Sequence, residues 1–344
     1  MQNKVHSILF VVGLFILGFL IWDFGIYNIV INIKKLGWWF LAVVGIWGVV
    51  YLVNSWAWYI ILGEDRDQVS FARIFGISLS GFAINYITPF VNLGGEPYRI
   101  SALKDSLGLE KSVSFVTLYR MVHILAHLIF WLCIIPLSIF ILPNSSYYMI
   151  PLLVAFFVIL FLTFFFFSRH RRGLFEAILN LLLRLPFLKF LGRRLEKHKN
   201  SILIIDEQIR DLFINRKRAF YGSLLLEFLT RFLAAFEFLV ILVALGIQIT
   251  FLQAFYIHAA SSLFLNIFFF MPLEMGTREG SLFVVFHAFN FNPELSIFVG
   301  LVNRSRELFW IVIGVVLIQI NNRRIKRIKE DLPEAGNDFG NSNI

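Results

Sequence analysis

Long apolar runs separated by short polar segments are the dominant pattern of this chain. A helix needs about 20 mostly apolar residues to cross the hydrocarbon core of a bilayer. The runs that reach this length predict six transmembrane helices, at about 5–24, 37–62, 113–142, 148–168, 220–246 and 296–320. We therefore expect an all-α polytopic membrane protein with about six full spans.

Two further apolar stretches are interrupted by proline and glycine. The first covers about 73–93 and runs into "NYITPFVNLGGEPYR"; the second covers about 254–290 and contains "FFMPLEMGTREG". A helix that is broken at membrane depth leaves backbone groups that neighbouring protein or a wet cavity must satisfy. Each stretch is therefore expected to be a re-entrant or discontinuous helix instead of a full span.

The two interrupted stretches resemble each other in the spacing of their proline, glutamate and arginine residues. Pro89 precedes Arg120 by 31 residues, and Pro272 precedes Arg304 by 32 residues. A glutamate lies ten residues before each of these two arginines. The match predicts an internal repeat of a span, a broken segment and a second span. Chance similarity between apolar sequences is the alternative.

Lysine and arginine predict the orientation, because they accumulate in cytoplasmic loops. The segment 169–218 carries 13 Lys/Arg against 5 Asp/Glu, and 323–329 reads "RRIKRIK". The connections 143–147 and 247–253 carry no charge. We therefore expect a multi-pass protein of the plasma (inner) membrane with both termini on the cytoplasmic side.

With this orientation the two repeat units enter the membrane from opposite sides, which is the inverted-topology repeat of many secondary transporters. The basic segment 169–218 is expected to form amphipathic helices on an anionic leaflet, and a solvated linker is the alternative. The chain then divides into a first span and connection (1–36), repeat 1 (37–142), a fourth span with basic interfacial helices (143–219), repeat 2 (220–320) and a basic, then disordered, tail (321–344).

Composition agrees with a bilayer environment. The chain is 58% hydrophobic and 15% charged, whereas a soluble domain has roughly 25% charged residues. Because the basic clusters flank apolar spans, the net charge of +9 indicates an anionic leaflet and not a nucleic acid. The single cysteine, Cys133, has no partner for an intramolecular disulfide.

Charged side chains in the broken segments and in the helices after them are the main functional candidates. A charge at membrane depth costs about 2.5–3.5 kcal/mol on insertion scales, so such side chains pair or line a hydrated cavity. The candidate substrate-binding residues are Glu96, Arg99, Arg120, Arg278, Glu279 and Arg304. The structural motif around them comprises Asn85, Thr88, Pro89, Gly94, Gly95, Pro272, Gly276 and Gly280.

These arginines favour a phosphate-bearing head group as the ligand. A guanidinium binds phosphate through two parallel hydrogen bonds, and the N-terminus of a half-helix adds backbone N–H donors. The glutamates would orient the arginines or carry protons. The structural alternative is that the glutamates and arginines are clamps that only hold the broken segments in place.

The remaining reactive groups show no catalytic pattern. His123 and His127 lie four residues apart, and packing or interhelical hydrogen bonds are preferred over metal binding because no third ligand has suitable spacing. Further buried charged networks are expected at Glu227, Arg231 and Glu237, and at Arg306 and Glu307. There is no phosphate-binding loop, no Ser–His–Asp pattern and no zinc signature. We therefore expect no cofactor, no metal, no catalytic residue and no enzyme activity.

The motifs resemble the flippase-like membrane domain of lysyl-phosphatidylglycerol synthases and its stand-alone relatives. "TPFVNLGGEPYR", a following "LYR", and "MPLEMGTREG" followed by "LVNRSRELFW" carry this resemblance, which extends from the first span to about Gln319. That family typically shows T-P…G-G-E…R in its first half and P…G-x-x-E-G with a later Arg in its second. The positions that match are Thr88, Pro89, Gly94, Gly95, Glu96 and Arg99, and Pro272, Gly276, Glu279, Gly280 and Arg304.

The chain also departs from that family. Glu274 and Met275 stand where the second motif usually has glycines, which would alter backbone flexibility or head-group choice. The synthases carry a soluble transferase domain after the membrane part, and this chain ends at Ile344. We therefore expect a stand-alone member without lysyl transfer, and the lysine-carrying substrate becomes doubtful with it.

The resemblance implies a domain that moves aminoacylated or other polar lipids between leaflets. Together with the repeat, it predicts a lipid translocase, either a flippase driven by an ion gradient or a scramblase, with membrane lipids as partners. A transporter of a small soluble anion, a membrane-embedded transferase and a non-transporting partner of a lipid-modifying synthase are the alternatives. A separate lipid-modifying enzyme and a second copy of the chain are further candidate partners, and nucleic acid is not one.

Overall fold

The protein is described from a computed structural model. The structure describes residues 26–87, 94–142, 145–169, 173–185, 189–197, 199–269, 274 and 276–331. The predicted first span at 5–24 and three residues of the predicted motif, Thr88, Pro89 and Pro272, lie outside the described residues.

The described part of the chain is all α-helical, as expected, apart from turns and one 3-10 helix at Gly63–Gln68. The first six α-helices are α1 (Ile26–Leu36), α2 (Trp39–Ile61), α3 (Phe71–Ile87), α4 (Gly95–Leu107), α5 (Leu109–Ile141) and α6 (Ser145–Arg169). Three short helices follow: α7 (Leu174–Arg184), α8 (Lys189–Glu196) and α9 (Lys199–Ile214). The last four are α10 (Lys217–Ala244), α11 (Phe251–Ile267), α12 (Thr277–Ala288) and α13 (Leu295–Asp331).

Three helices in the described part are long and apolar enough to cross a bilayer. They are Trp39–Ile61, Leu109–Ser138 and Met149–Ser168, which coincide with the predicted spans 37–62, 113–142 and 148–168. The protein is therefore a helical membrane protein. Helix α10, with 28 residues, covers 220–244 of the predicted span 220–246, and α13, with 37 residues, covers the whole predicted span 296–320. Because both carry internal charged residues, their assignment as full spans stays a prediction, and so does the count of six.

Each interrupted stretch is a pair of helices on either side of the break. Helices α3 and α4 flank the first break and pack against each other, and α11 and α12 do the same around the second. Gly276 precedes α12 with a φ of +73°, in the left-handed region that favours glycine. Most residues of the two predicted breaks, 88–93, 270–273 and 275, lie outside the described residues. The breaks and their depth in the membrane therefore stay a prediction.

Equivalent helices of the two predicted repeat units form equivalent contacts. In the first unit α2 packs on α3, α3 on α4 and α4 on α5; in the second α10 packs on α11, α11 on α12 and α12 on α13. Between the units, α3 packs on α13, as the equivalent α11 packs on α5, and α2 packs on its own equivalent, α10. Contacts alone do not give the direction of each helix through the membrane, so the inverted repeat stays a prediction.

A small residue allows the two units to approach closely. Gly314 of α13 faces α3, where an added Cβ atom would lie 2.7 Å from the carbonyl oxygen of Leu79 and 2.7 Å from Ala83 Cβ. Ser80 Oγ donates a hydrogen bond to the Gly314 carbonyl at 3.2 Å. Close backbone approach at small residues is typical of packing in membranes, where the lipid tails are as apolar as the helices.

Helices α7 to α9 form the basic segment that the sequence predicts to be amphipathic. Asp206 of α9 is buried, and its two carboxylate oxygens accept the backbone N–H groups of Phe175 and Glu176, both at 2.9 Å. This carboxylate satisfies the first turn of α7, whose backbone N–H groups have no partner within the helix. The position of these helices at a membrane surface stays a prediction.

Candidate functional site

A polar cavity of about 320 Å³ lies where the two predicted units meet. Helices α2, α3, α4 and α5 supply one part of its wall, and α10 to α13 supply the other. Its charged lining residues are Arg99, Arg120, Arg231, Arg278, Arg306, Glu237, Glu274 and Glu307. Five positive and three negative side chains give the wall a formal charge of +2 with the histidines neutral.

In the first unit, Glu96 holds two arginines. Glu96 lies in the first turn of α4, and its Oε1 is 2.8 Å from Nη1 of Arg99 and 3.9 Å from Nε of Arg120. Arg99 is 9% exposed at its side chain, whereas Arg120 is 37% exposed. Arg120 therefore has the freedom to contact a ligand, and Arg99 is the more tightly held of the two.

The second unit repeats this arrangement. Glu279 lies in the first turn of α12, and its two carboxylate oxygens accept Nε and Nη2 of Arg304 at 2.8 and 3.1 Å. The glutamate at the start of a half-helix thus contacts the arginine of the following long helix in both units. Glu279 and Arg304 do not line the cavity. This bidentate pair therefore acts as a clamp between α12 and α13.

Arg278 has partners different from those of the adjacent Glu279, as expected for neighbours that point about 100° apart on a helix. Arg278 forms ion pairs with Glu274 and with Glu307, the latter at 2.7 Å from its Nη1. Its side chain is 7% exposed and lines the cavity. Glu274, one of the two departures from the family pattern, thus contributes directly to the cavity wall.

One of the three motif glycines Gly94, Gly95 and Gly280 has a steric role. Asn85 Oδ1 accepts the backbone N–H of Gly95 at 2.6 Å, which fixes the end of α3 to the start of α4. A Cβ atom at Gly95 would lie only 2.3 Å from the carbonyl oxygen of Gly81. Gly94 precedes α4 in a helical conformation with a φ of −65°, and Gly280 has open space where a Cβ would stand. Among these glycines, Gly95 is the one that close backbone approach requires.

Glu237 and Arg306 form a buried pair that connects α10, α13 and α2. Arg306 Nε and Nη2 donate to the two oxygens of Glu237 at 3.1 and 3.2 Å. Trp47 Nε1 donates to the same carboxylate at 2.6 Å, and the Arg306 guanidinium lies 3.8 Å from the centre of the Trp47 ring. The sequence marks both charges as buried, but it gives no sign of Trp47.

A large apolar groove of about 700 Å³ adjoins the cavity, and no feature of the sequence predicted it. Its walls come from α4, α5, α6 and α7, and Ile124 and Phe161 on these walls are 50% and 64% exposed. Arg120 lines both the groove and the polar cavity, and Glu96 lines the groove beside it. A polar compartment and an apolar compartment therefore meet at one arginine.

Three arginines that line the cavity each have a buried nitrogen without a protein partner. Among the described residues, Nε of Arg99, Arg231 and Arg278 has no protein hydrogen-bond partner. A buried donor without a partner costs about 1–3 kcal/mol, so these guanidinium groups are held at an energetic cost. Of the predicted binding residues, Arg99, Arg120 and Arg278 line the cavity, Glu96 lines the groove, and Glu279 and Arg304 pair with each other beside them.

The histidines form the part of the site that the sequence reasoning undervalued. His123, His127 and His258 all line the cavity, together with Arg231. In the described part of the chain, no group of three or more His, Cys, Asp or Glu residues is arranged to hold a metal ion. The sequence signals for this cluster were the spacing of His123 and His127 by four residues and the buried charged network expected at Arg231, and nothing in the sequence connected the two.

Comparison with known proteins supports the resemblance seen in the motifs. No curated protein and no solved structure matches the chain. The family model of the lysylphosphatidylglycerol synthase TM region matches residues 7–315, which include both breaks and all the lining residues of the cavity. Because this match covers most of the chain, the protein belongs to the lysylphosphatidylglycerol synthase transmembrane family.

Proposed function

We propose that this protein is a lipid translocase that moves a phosphate-bearing lipid between the two leaflets of the plasma membrane. The observation that carries the proposal is the position of Arg120, which lines a polar cavity on one side and an apolar groove on the other. A lipid has the same two parts, a polar head group and apolar chains, joined at one point. Arg120 lies where such a joint would be.

The sizes of the two compartments fit this division of a lipid. The cavity of about 320 Å³ and the groove of about 700 Å³ fall within the range of about 300–1,000 Å³ that is usual for ligand sites. The groove is lined almost entirely by aliphatic and aromatic side chains, and its exposed walls give alkyl chains a way in from the bilayer. A transporter of a small soluble anion has no need of such a groove.

The charge of the cavity favours an anionic head group. Its wall carries five arginines and three glutamates, a surplus of two positive charges. Arg99 and Arg278 line the cavity, and their guanidinium groups are of the type that binds phosphate oxygens with defined geometry. In this proposal Arg99, Arg120 and Arg278 contact the head group, and the Glu279–Arg304 clamp holds the half-helix that carries Arg278.

The equivalent contacts of the two units support a repeat, and this proposal takes the two units to be inverted. In such transporters the substrate site lies at the repeat interface beside broken helices, and access alternates between the two sides. The cavity here is lined from both units and lies next to both breaks. The direction of transport then follows from the driving force, because alternating access opens the site to each leaflet in turn.

The test is exchange of a fluorescent phosphatidylglycerol between the leaflets of proteoliposomes, measured by dithionite quenching. We expect exchange with the wild-type protein and at least a tenfold slower rate with Arg120→Gln. The matched control is Arg210→Gln, an exposed arginine on α9 outside both compartments, which should exchange at the wild-type rate. Correct folding of each variant is checked by its elution volume and thermal unfolding.

Three results would contradict the proposal. Absence of exchange by the wild-type protein, with or without an imposed ion gradient, would remove the translocase function. Uptake of free phosphate into the same vesicles, lost in Arg120→Gln, would instead identify a transporter of a soluble anion. An unchanged exchange rate in Arg120→Gln would show that the lipid does not pass the junction of cavity and groove.

A further inference from the structure

A cluster of histidine, glutamate and arginine side chains lies along one side of the cavity. His123 and His127 come from α5, Glu227 and Arg231 from α10, and His258 from α11. The three histidines and Arg231 line the cavity, whereas Glu227 lies behind them and is fully buried. The head-group site proposed above does not use Glu227 or the histidines.

The contact between His123 and Glu227 requires a proton. Nδ1 of His123 lies 2.8 Å from Oε2 of Glu227. An unprotonated ring nitrogen and a carboxylate oxygen are both acceptors, so a hydrogen atom must lie between them. In the neutral ring this hydrogen occupies Nδ1, and Nε2 is then an acceptor that can bind a second proton. The Glu227 carboxylate would stabilise the resulting imidazolium as an ion pair.

Arg231 makes this protonation sensitive to an anion in the cavity. Its Nη2 lies 3.1 Å from the same Glu227 oxygen and 3.3 Å from Nδ1 of His123. A positive charge at this distance opposes a positive charge on the imidazole. Nε of Arg231 has no protein partner among the described residues. An anion that binds Arg231 from the cavity would reduce this repulsion and favour the imidazolium.

Several other titratable or charged groups surround His123. Tyr119 and His127 lie on its own helix, with ring centres 6.1 and 5.0 Å away, and Arg120 lies between them in the chain. His258 of α11 and Arg99 of α4 line the same cavity. Glu227 and Arg231 compensate each other, so the cluster formed by these two residues and His123 is neutral with a neutral ring and carries +1 after proton uptake.

We propose that the His123–Glu227 pair is a proton-binding site, and that the protein carries a proton together with its anionic lipid. This proposal rests on the proposed lipid translocase function. The two ligands are linked through Arg231: the anion favours binding of the proton, and by thermodynamic reciprocity the proton favours binding of the anion. Linkage of this sign produces symport. A singly charged anionic lipid and one proton then cross the membrane as a neutral combination.

The transport test uses proteoliposomes with fluorescent phosphatidylglycerol and a pH-sensitive dye in the lumen. With an imposed gradient of one pH unit, one-to-one symport shifts the leaflet distribution of the lipid about tenfold, because one pH unit is about 1.36 kcal/mol. Because the combination is neutral, a potassium diffusion potential leaves the distribution unchanged. Both His123→Gln and Glu227→Gln lose the response to pH.

The matched control is His287→Gln, which changes an exposed histidine of α12 outside the cavity. It should respond to the pH gradient as the wild-type protein does. The symport proposal is overturned if lipid exchange by the wild-type protein does not respond to the pH gradient, or if it responds to the electrical potential. Lipid translocation itself would stand in either case.

A second measurement decides whether the pair binds protons even if no lipid moves. In nanodiscs, ¹⁵N NMR of histidine-labelled protein reports the protonation of each ring, and the signal of His123 is assigned by its loss in His123→Gln. We expect Nδ1 of His123 to stay protonated throughout and Nε2 to take up a proton as the buffer is acidified, and Glu227→Gln to abolish that uptake. A His123 signal indifferent to Glu227→Gln would refute the proton site, whatever the outcome of the exchange assay.

Discussion

Glu237 shows how single residues compensate charge inside this protein. Its side chain is 1% exposed and accepts hydrogen bonds from Arg306 and Trp47. Removing one member of a buried ion pair leaves the other charge without compensation, which costs far more than the loss of an exposed pair. Stability should therefore depend strongly on where in the structure a charge is removed.

We predict that Glu237→Gln lowers the free energy of unfolding by about 3–5 kcal/mol. Buried Arg306 then keeps only the longer contact to Glu307, 3.6 Å from its Nη2, and Glu307 already pairs with Arg278. The control is Asp65→Asn, whose partner Lys111 is 56% exposed at its side chain, and which should cost less than about 1 kcal/mol. Reversible unfolding in mixed micelles measures both values. Equal losses in the two variants would mean that burial does not determine the effect.

Residue spacing in the sequence predicted some of these pairs and necessarily missed others. Glu96 and Arg99 lie three residues apart, so one helix brings them together. Trp47 and Glu237 are separated by 190 residues, and only the packing of α2 on α10 makes them partners. The repeat marked Glu279 and Arg304 as candidates, but their contact depends on how α12 lies against α13.

At the scale of helices, the two breaks differ in what they demand of the backbone. Gly95 lies against the backbone of α3, so its lack of a side chain determines how closely α3 and α4 approach. Gly276 has open space around it but a φ of +73°. Close packing therefore restricts which residue position 95 accepts, whereas backbone conformation restricts which residue position 276 accepts.

Gly95→Ala is predicted to destabilise the protein by about 1–3 kcal/mol, since its Cβ would overlap the Gly81 carbonyl oxygen and push α3 and α4 apart. Gly76→Ala, in the same helix pair but with no atom near the new Cβ, should be neutral or stabilising by up to about 1 kcal/mol. Thermal unfolding of the two variants side by side gives the comparison. A stable Gly95→Ala protein would show that α3 and α4 separate without cost.

The cap of α7 gives a second prediction at this scale. Asp206→Ala removes the acceptor of two backbone N–H groups, which should cost about 1–2 kcal/mol locally. Amide hydrogen exchange across Leu174–Arg184 should then be about tenfold faster, since 1.4 kcal/mol corresponds to a factor of ten. Glu207→Ala, at an exposed neighbouring position, serves as the control. Faster exchange in both variants would point to general loosening of α9 instead.

The sequence predicted long apolar helices well and irregular segments less well. Helices α2, α5 and α6 are continuous apolar runs, so their length and hydropathy define them. Helices α10 and α13 carry internal charges, and their depth in a membrane depends on contacts that hydropathy does not describe. The groove was missed because its walls come from four helices and include α7, whose position against the bundle depends on Asp206.

For the complete helix bundle, an inverted repeat predicts on which side of the membrane each pair of equivalent residues lies. Glu110 and Glu294 lie ten residues before Arg120 and Arg304, and both are exposed near the starts of equivalent helices. If the units are inverted, these equivalent positions lie on opposite sides of the membrane. The basic residues predict that Glu110 faces the cytoplasm.

Single cysteines at these two positions, in a Cys133→Ser background, test the claim with a membrane-impermeant maleimide. We expect Glu294→Cys to be labelled in intact spheroplasts and Glu110→Cys only after permeabilisation. Labelling of both from the same side would exclude an inverted repeat, although the equivalent helix contacts would remain.

Because Arg120 lines both the polar cavity and the apolar groove, it also affects how the protein should be handled after purification. A detergent has a polar head and an alkyl chain, so it satisfies the same two compartments as a lipid, and in a micelle it is present in large excess. By mass action such a molecule stabilises the folded protein while it competes with the natural ligand. Anionic detergents should therefore raise the melting temperature of the wild-type protein more than that of Arg120→Gln, and binding studies belong in detergent-free nanodiscs.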